Sequence, residues 1–350
     1  MNLVTPRPGS DASPTNQQCR DEILGEAWRE LIGHITGFRR TALLLAATEL
    51  GLLQLLTERS ASAAAVSESV GVSIRAADIF LKALTAIGLL SLEDGQYRLK
   101  ASFRALFEPG PQSVVPNIML YKTEVEVWFR MSGIMRGTDS SPIHYSRELF
   151  DSRLRLYSGI EMLNRLHAER VLQEIEPQVT SATRILDMGG GEGYYAGRIL
   201  ALNQNANVTI LDLEGGFEAC RERHEHLIEA GRLVLEVGDA RTYSTVRGYD
   251  LVMMHELLEM FDAEEKGQIV ASAMAALRPG GWLVITKFRL SDDGLDPASS
   301  ALFSMRMWMK FREAYLESDS ETEDLVKQHP ISDLRRINSS KTIIVAQKAG

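Results

Sequence analysis

The stretch Arg184-Ile-Leu-Asp-Met-Gly-Gly-Gly-Glu-Gly193 decides how this chain is read. An apolar run ends in an acid, and Gly189, Gly191 and Gly193 follow at alternate positions. Glycine tolerates the positive φ of a tight strand-to-helix turn, and it lets backbone approach a ligand that a side chain would hold off. The expectation is a strand over 184–188, a glycine bend, and a helix over 194–202. The Asp187-x-Gly-x-Gly-x-Gly193 spacing fits an adenosyl cofactor held by hydrogen bonds, with the acid fixing the loop or reaching an ammonium group of the ligand.

From there to the end, strands and helices alternate. Strands are expected over 208–213, 233–237, 250–254 and 282–288, helices over 217–230 and 263–277, and a final strand pair over 331–337 and 341–347. That rhythm predicts a doubly wound parallel sheet. Asn338-Ser-Ser340 is short enough for a hairpin, so the last strand should run antiparallel at or near the sheet edge. In open α/β sheets ligands sit beyond the carboxyl ends of the strands, which makes the acids there the residues to weigh. Asp212 ends the second strand 25 residues after Asp187, where a carboxylate can accept both ribose hydroxyls, with Leu213 next to it. Asp239, in Val237-Gly-Asp-Ala240, could accept from an adenine amino group while Ala240 presents backbone to the ring. The plain structural alternative is that Asp187, Asp212 and Asp239 cap helices or turns. Gly191-x-Gly193-x-x-Ala196 also satisfies the loose dinucleotide fingerprint, so a nicotinamide cofactor competes. The C-terminal position of the sheet, the closing hairpin and the lack of a hydride-transfer dyad weigh against it.

The chain has 350 residues, 45% of them hydrophobic, which is enough for two domains. The expected division is a disordered tail over 1–18, a winged-helix domain over 19–110, a helical, pocket-lining connector over 111–180, and a cofactor-binding domain over 181–350. Leu43, Leu44, Ala47, Leu50 and Leu53 share one helical face, 60–90 resembles a helix-turn-helix, and Glu93-Asp-Gly95 turns a small hairpin. A winged helix invites a nucleic-acid reading. Residues 60–104 nevertheless carry five basic residues against four acids, with no basic stripe, and the whole chain has a net charge of −9. Dimerisation and a substrate lid are the preferred roles, and a metabolite-sensing regulator is the disfavoured one. Cys19 and Cys220 stand too far apart for a disulfide framework or a paired-cysteine zinc site, which fits a reducing compartment and a cytoplasmic protein. The first 18 residues lack the apolar core of a signal peptide, and Ala42 to Leu56 is too short and polar to span a bilayer.

Together, the winged-helix pattern, Leu186-Asp-Met-Gly-Gly-Gly-Glu-Gly193, Val237-Gly-Asp239 and Leu277-Arg-Pro-Gly-Gly281 resemble the small-molecule S-adenosylmethionine-dependent O-methyltransferases of plant and bacterial natural-product pathways, from about residue 35 onward. The resemblance implies a class I methyltransferase Rossmann-like sheet, S-adenosyl-L-methionine as cofactor, no metal, a homodimer with interlocked N-terminal domains, and a small-molecule acceptor held between the domains. In that family a His-Asp-Trp run after the fourth strand supplies the general base and an aromatic wall. Here the run reads Met254-His-Glu-Leu-Leu-Glu-Met-Phe-Asp262, which puts Glu259 at the histidine position and Phe261 at the tryptophan. His255 lies four residues earlier. The Glu-Arg-Thr of relatives appears as Ser320-Glu-Thr322, so the supporting acid is displaced.

Glu259 is the first candidate base and His255 the second, each weighed against an exposed or capping acid and a cofactor contact or core histidine. Trp128, Met131, Met162, Phe303, Met307 and Trp308 are the candidate acceptor-pocket residues, although the spacing 303, 307, 308, 311 equally describes a buried helix face. Asp262 and Glu265 read as a capping box. Asp292 and Asp293 read as solvated, and His224 and His226 as surface residues that cannot share a metal. The expected reaction is O-methylation. N- or C-methylation remains an alternative, as does non-methylating chemistry on the same cofactor.

Overall fold

The computed structural model describes residues 16–109, 113–139, 161–311 and 313–350, without the side chains of 16–21, 116, 117, 120, 123 and 161–166. The chain divides into two compact units, Met1–Pro109 and Gly110–Gly350. The expected tail falls outside the described residues up to residue 15.

The first unit contains α1 (Asn16–Thr36), α2 (Phe38–Glu49), α3 (Leu52–Glu58), α4 (Ala63–Val70), α5 (Ile74–Ala86), the strands β1 (Leu90–Glu93) and β2 (Gln96–Leu99), and α6 (Ala101–Phe107). Ser62 and Ser73 start α4 and α5, each hydroxyl accepting from an amide of the first turn at 3.2 Å. Leu52, Leu53 and Leu56 of α3 and Leu81 and Leu84 of α5 are fully buried. Asp94 and Gly95 turn β1 into β2 with φ of 49° and 73°, which suits a tight hairpin. Leu90 pairs with Leu99, both buried. This is the winged-helix arrangement that the sequence implies.

The second unit opens with α7 (Val115–Phe129), α8 (Met131–Met135), α9 (Glu161–Glu174) and α10 (Glu176–Ser181). Then β3 (Arg184–Met188), α11 (Tyr194–Leu202), β4 (Asn207–Asp212), α12 (Glu218–Glu229), β5 (Leu233–Val237), β6 (Tyr249–His255), α13 (Ala263–Ala276) and β7 (Leu277–Lys287) alternate. α14 (Ala298–Lys310), α15 (Asp319–Lys327), β8 (Ile331–Asn338) and β9 (Thr342–Lys348) finish the chain. The sheet order is β5-β4-β3-β6-β7-β9-β8, and only β9 and β8 pair antiparallel to their neighbours. Chain order reverses between β3 and β6, so the carboxyl ends of those two strands mark the ligand crevice. β7 starts five residues before the expected position, because Leu277 pairs with Tyr249 across a register shift and takes the Arg-Pro-Gly-Gly turn into the strand.

Period-two alternation sorts the strands onto two cores. Ile185, Val208, Ile210, Leu251 and Met253 face one, and Leu186, Met188, Leu211, Val252 and Met254 the other. Asp250 aligns the central strands at their start. One oxygen accepts from the amides of Thr183 and Arg184 at 2.8 Å and from the Thr183 hydroxyl at 2.7 Å, and Arg278 pairs with the other oxygen. Although burial works the other way, these donors hold its carboxyl down to about 2. Among the described residues, no single helix is long and apolar enough to cross a membrane.

Asp262 accepts from the Glu265 amide at 2.8 Å and Glu265 accepts back from the Asp262 amide at 3.4 Å, a capping box that starts α13. Asp262→Ala should lower the unfolding free energy by about 1 kcal/mol, read as a lower urea midpoint with an unchanged slope.

Candidate functional site: the glycine bend and the carboxyl end of the sheet

The glycine bend hangs between β3 and β4. Gly189 donates to the Leu211 carbonyl at 2.7 Å, and Gly191 donates to Asp212 Oδ2 at 2.8 Å. The other Asp212 oxygen accepts from the Leu213 amide at 2.7 Å. Asp212 therefore stands at the end of β4 as expected, and it also anchors the bend.

Gly189, Gly191 and Gly193 all have positive φ, yet their surroundings differ. A Cβ on Gly189 would lie 2.7 Å from Leu257, and one on Gly193 would lie 2.7 Å from Cys220 Sγ. Those two positions are closed by the protein itself. At Gly191 the nearest atom would be Asp212 Oδ2 at 3.8 Å, so the open approach for a ligand is there.

Asp187 ends β3 beneath this bend and is almost fully buried. Neither of its carboxylate oxygens has a hydrogen-bond partner among the described residues. Burial, with the Asp212 charge added, pushes its carboxyl up to about 7. A buried acceptor left unmade costs on the order of 1–3 kcal/mol, more when charged. A cationic ligand seated on the bend would supply the missing opposite charge, so the residues present fit an adenosyl cofactor that carries an ammonium group.

Asp239 and Ala240 follow β5. The Asp239 carboxylate is held by Arg241, whose Nε lies 2.9 and 3.1 Å from its two oxygens and whose other end reaches Glu265 at 2.5 Å. Its amide partners are local, with the Arg241 N–H donating to Oδ1 at 3.0 Å. This clamp on an expected adenine acceptor was not legible from spacing alone. Ala240 and Phe261 are half-buried and pack against the core face shared with Met254 and Leu258.

His255 ends β6. Its Nδ1 lies 2.9 Å from the Thr286 hydroxyl, and its ring stacks on Tyr195 at 3.4 Å between centroids and 3° between planes. Nε2 is buried without a hydrogen-bond partner among the described residues, and burial drops the imidazole to about 3. The ring is neutral at physiological pH. Glu256 follows with φ of 52°, which turns the chain off the strand and brings its carboxylate 2.9 Å from Lys341 Nζ.

Glu259 sits in a short 3-10 turn, Leu258–Met260. It is 2% exposed and neither oxygen finds a hydrogen-bond partner among the described residues. Burial first, then the charges of Glu317 and Glu256, push its carboxyl well above the ordinary range. The reading of this acid as an exposed or capping group is thereby replaced.

The candidate pocket residues separate. Trp128, Met131 and Trp308 gather around buried Val127 and Met309, and Phe303 instead packs on Phe288 with 4.4 Å between ring centroids. Met307 is buried. The Met162 side chain lies outside the described residues. Arg306 and Lys310 both reach Glu124, which ties α14 to α7.

The expectation that His224 is a surface residue needs correction. α12 kinks at His224, where φ is −121°, and the ring lies against the backbone of Gly193 and Gly197 with Nε2 buried. The two glycines leave the space that draws it in. His226 is exposed, as expected. Asp292 is exposed and accepts from the Ser320 hydroxyl at 2.9 Å, and no metal-ligating cluster occurs among the described residues.

Because Asp187 gains protons on folding, its contribution to stability falls as pH rises from about 4 to about 7. Asp187→Asn should therefore melt at a higher temperature than the unchanged protein above pH 7, with the difference closing toward pH 4. Scanning calorimetry across that range checks it.

The model of the O-methyltransferase domain matches residues 131–330, and that of the O-methyltransferase dimerisation domain matches residues 32–107. The chain is 28% identical over 279 residues to 3-hydroxy-5-methyl-1-naphthoate 3-O-methyltransferase of Streptomyces sahachiroi, covering 78% of this chain and 80% of that one. It is 25% identical over 277 residues to L-tyrosine C(3)-methyltransferase of Streptomyces lavendulae, covering 74% of each. An O-methyltransferase family protein from Burkholderia thailandensis has the same fold, with a TM-score of 0.81 at 24% identity over 92% of this chain and 98% of that one. The chain belongs to the O-methyltransferase family and is a methyltransferase whose cofactor is S-adenosylmethionine.

Proposed function

We propose that this enzyme methylates an oxygen of an aromatic or otherwise apolar small molecule, with Glu259 as the general base in place of the family's histidine. The observation that carries this reading is a buried carboxylate with two orphaned oxygens, four residues beyond the end of β6. S-adenosylmethionine supplies a methyl group already activated on a sulfonium. The chain's part is then to orient and to take a proton. Holding the acceptor atom and the methyl group at near-attack distance can contribute ~7–11 kcal/mol. An acceptor hydroxyl against Glu259 would satisfy its oxygens and lose its proton there. His255 is the weaker candidate, because burial disfavours the imidazolium that a base must become.

In this reading Asp187, Gly189, Gly191, Gly193, Asp212 and Leu213 hold the amino-acid and ribose parts of the cofactor, and Asp239, Ala240 and Phe261 frame its base. Trp128, Met131 and Trp308 line the acceptor's apolar wall, Phe303 and Met307 extend it, and Met162 is retained from the sequence reading. The likeness to the tyrosine C-methyltransferase favours C-methylation as a second reading.

The division into a dimerisation domain over 19–110, a connector over 111–180 and a catalytic domain over 181–350 belongs to the same proposal, as does work in the cytoplasm. A homodimer is supported by α1 and the start of α2, where Ile23, Leu24, Trp28, Leu31, Ile35 and Phe38 form a contiguous apolar stripe about half exposed or more. Trp28→Glu should convert a dimer to a monomer by light scattering.

Incubation with methyl-labelled S-adenosylmethionine and a panel of phenols should transfer label to oxygen and release S-adenosylhomocysteine. A product formed without S-adenosylhomocysteine would remove the transferase assignment. Glu259→Gln should lower kcat by roughly 10²–10⁴-fold on a phenol that must lose its proton. Unchanged turnover across pH would eliminate Glu259 as the base.

A further inference from the structure

Arg241 is fastened on several sides at the exit of β5. Its guanidinium takes the Asp239 carboxylate side-on, with Nε 2.9 and 3.1 Å from the two oxygens and Nη2 on Oδ2, while Nη1 lies 2.5 Å from Glu265 Oε1. Its amide donates to Asp239 Oδ1 at 3.0 Å, and its carbonyl accepts from the Ser272 hydroxyl of α13 at 3.0 Å. Two acids from separate elements are thus bridged by one planar cation.

The bridge joins two stretches of chain that frame the crevice. On one side, the Gly238 amide donates to the Asp212 carbonyl at 3.0 Å, so the turn carrying Asp239 and Ala240 is tied to the strand end that holds the glycine bend. On the other side, Glu265 and Asp262 exchange hydrogen bonds, so the far end of the bridge is the capping box directly after Phe261. Ala240 and Phe261 are half-buried against the same core. The Arg241 side chain is 19% exposed and that of Asp239 is 29% exposed, which leaves part of the acid open to a ligand while its cation is mostly enclosed.

A guanidinium engages carboxylates through paired, charge-assisted hydrogen bonds of fixed geometry. An aspartate on a turn has several rotamers of its own, and local backbone amides compete for its oxygens. Without the cation, Asp239 and Glu265 would be two acids no further apart than the width of one guanidinium group, and they would relieve their repulsion by parting. Asp239 would then leave its place, and the turn bearing Ala240 would lose its tie to α13.

We propose that Arg241 is a positioning residue for recognition of the cofactor's base. It fixes the Asp239 carboxylate in the rotamer that accepts the adenine amino group, and through Glu265 it sets the separation between the Ala240 turn and the start of α13. Arg241 does not touch the cofactor, and its role rests on the reading of Asp239 as the adenine acceptor. A base with a 6-oxo group presents an acceptor to that carboxylate where adenine presents a donor. Arg241 therefore acts on the choice between the two bases rather than on affinity for nucleosides at large.

Titration calorimetry on the full-length protein reads this role without turnover, by comparing S-adenosylhomocysteine with S-inosylhomocysteine, its 6-oxo counterpart. The unchanged protein should prefer the adenine form, and Asp239→Ala should lose that preference. Arg241→Met should weaken S-adenosylhomocysteine binding by roughly tenfold and shrink the preference by a similar factor, with the affinity for the inosine form nearly unchanged. Arg241→Lys keeps the charge without the two-sided fork, so it should fold like the unchanged protein and fall between the two. An unchanged preference in the Arg241 variants, or equal weakening of both ligands, overturns the proposal, since a merely structural role would move both together. Failure of the underlying reading has a different signature: Asp239→Ala would keep the preference for adenine, and the role of Arg241 would fall with it.

Discussion

The carboxylate of Asp212 is the constraint on which the site depends. By accepting from the amides of Gly191 and Leu213 it ties the glycine bend after β3 to the exit of β4. A bend of three positive-φ glycines has little conformational preference of its own. Its shape comes from this clamp, from the Gly189 amide on Leu211, and from Leu257 and Cys220 closing on Gly189 and Gly193. With those contacts made, Asp187 is sealed below and Gly191 is left facing open space.

Two buried carboxylates stand out beside the topological switch point. Asp187 closes β3 and Glu259 follows β6, and both lack hydrogen-bond donors within the described protein. Unpaired buried acids are disfavoured in a structure selected for stability alone, which is why both weigh in the proposed site. For Asp187 the complement is a positive charge.

Buried charge near the carboxyl end of the sheet is matched locally. Glu256 leaves the strand in a left-handed conformation and takes Lys341 as its partner, while Lys266 reaches from α13 to Glu317. The lysines are buried because each is matched by an acid and, for Lys266 and Lys341, by an aromatic face.

The alternation of apolar runs, the glycine bend and its acids were legible in the primary structure, because period, φ requirement and strand-end position are local properties. β3, α11 and β5 fall where the pattern puts them, and the capping box at Asp262 follows from two residues three apart. What only the tertiary structure decided is which charges meet. Glu317, Lys266 and Lys341 lie 58, 7 and 82 positions from Glu259 in the chain, and no spacing rule connects them. The inward turn of His224 and the clamp of Arg241 on Asp239 are decisions of the same kind. Pairing between buried charges is set by the packing of distant elements in a medium of low dielectric, where a few ångströms determine whether a carboxylate is an ion or an acid.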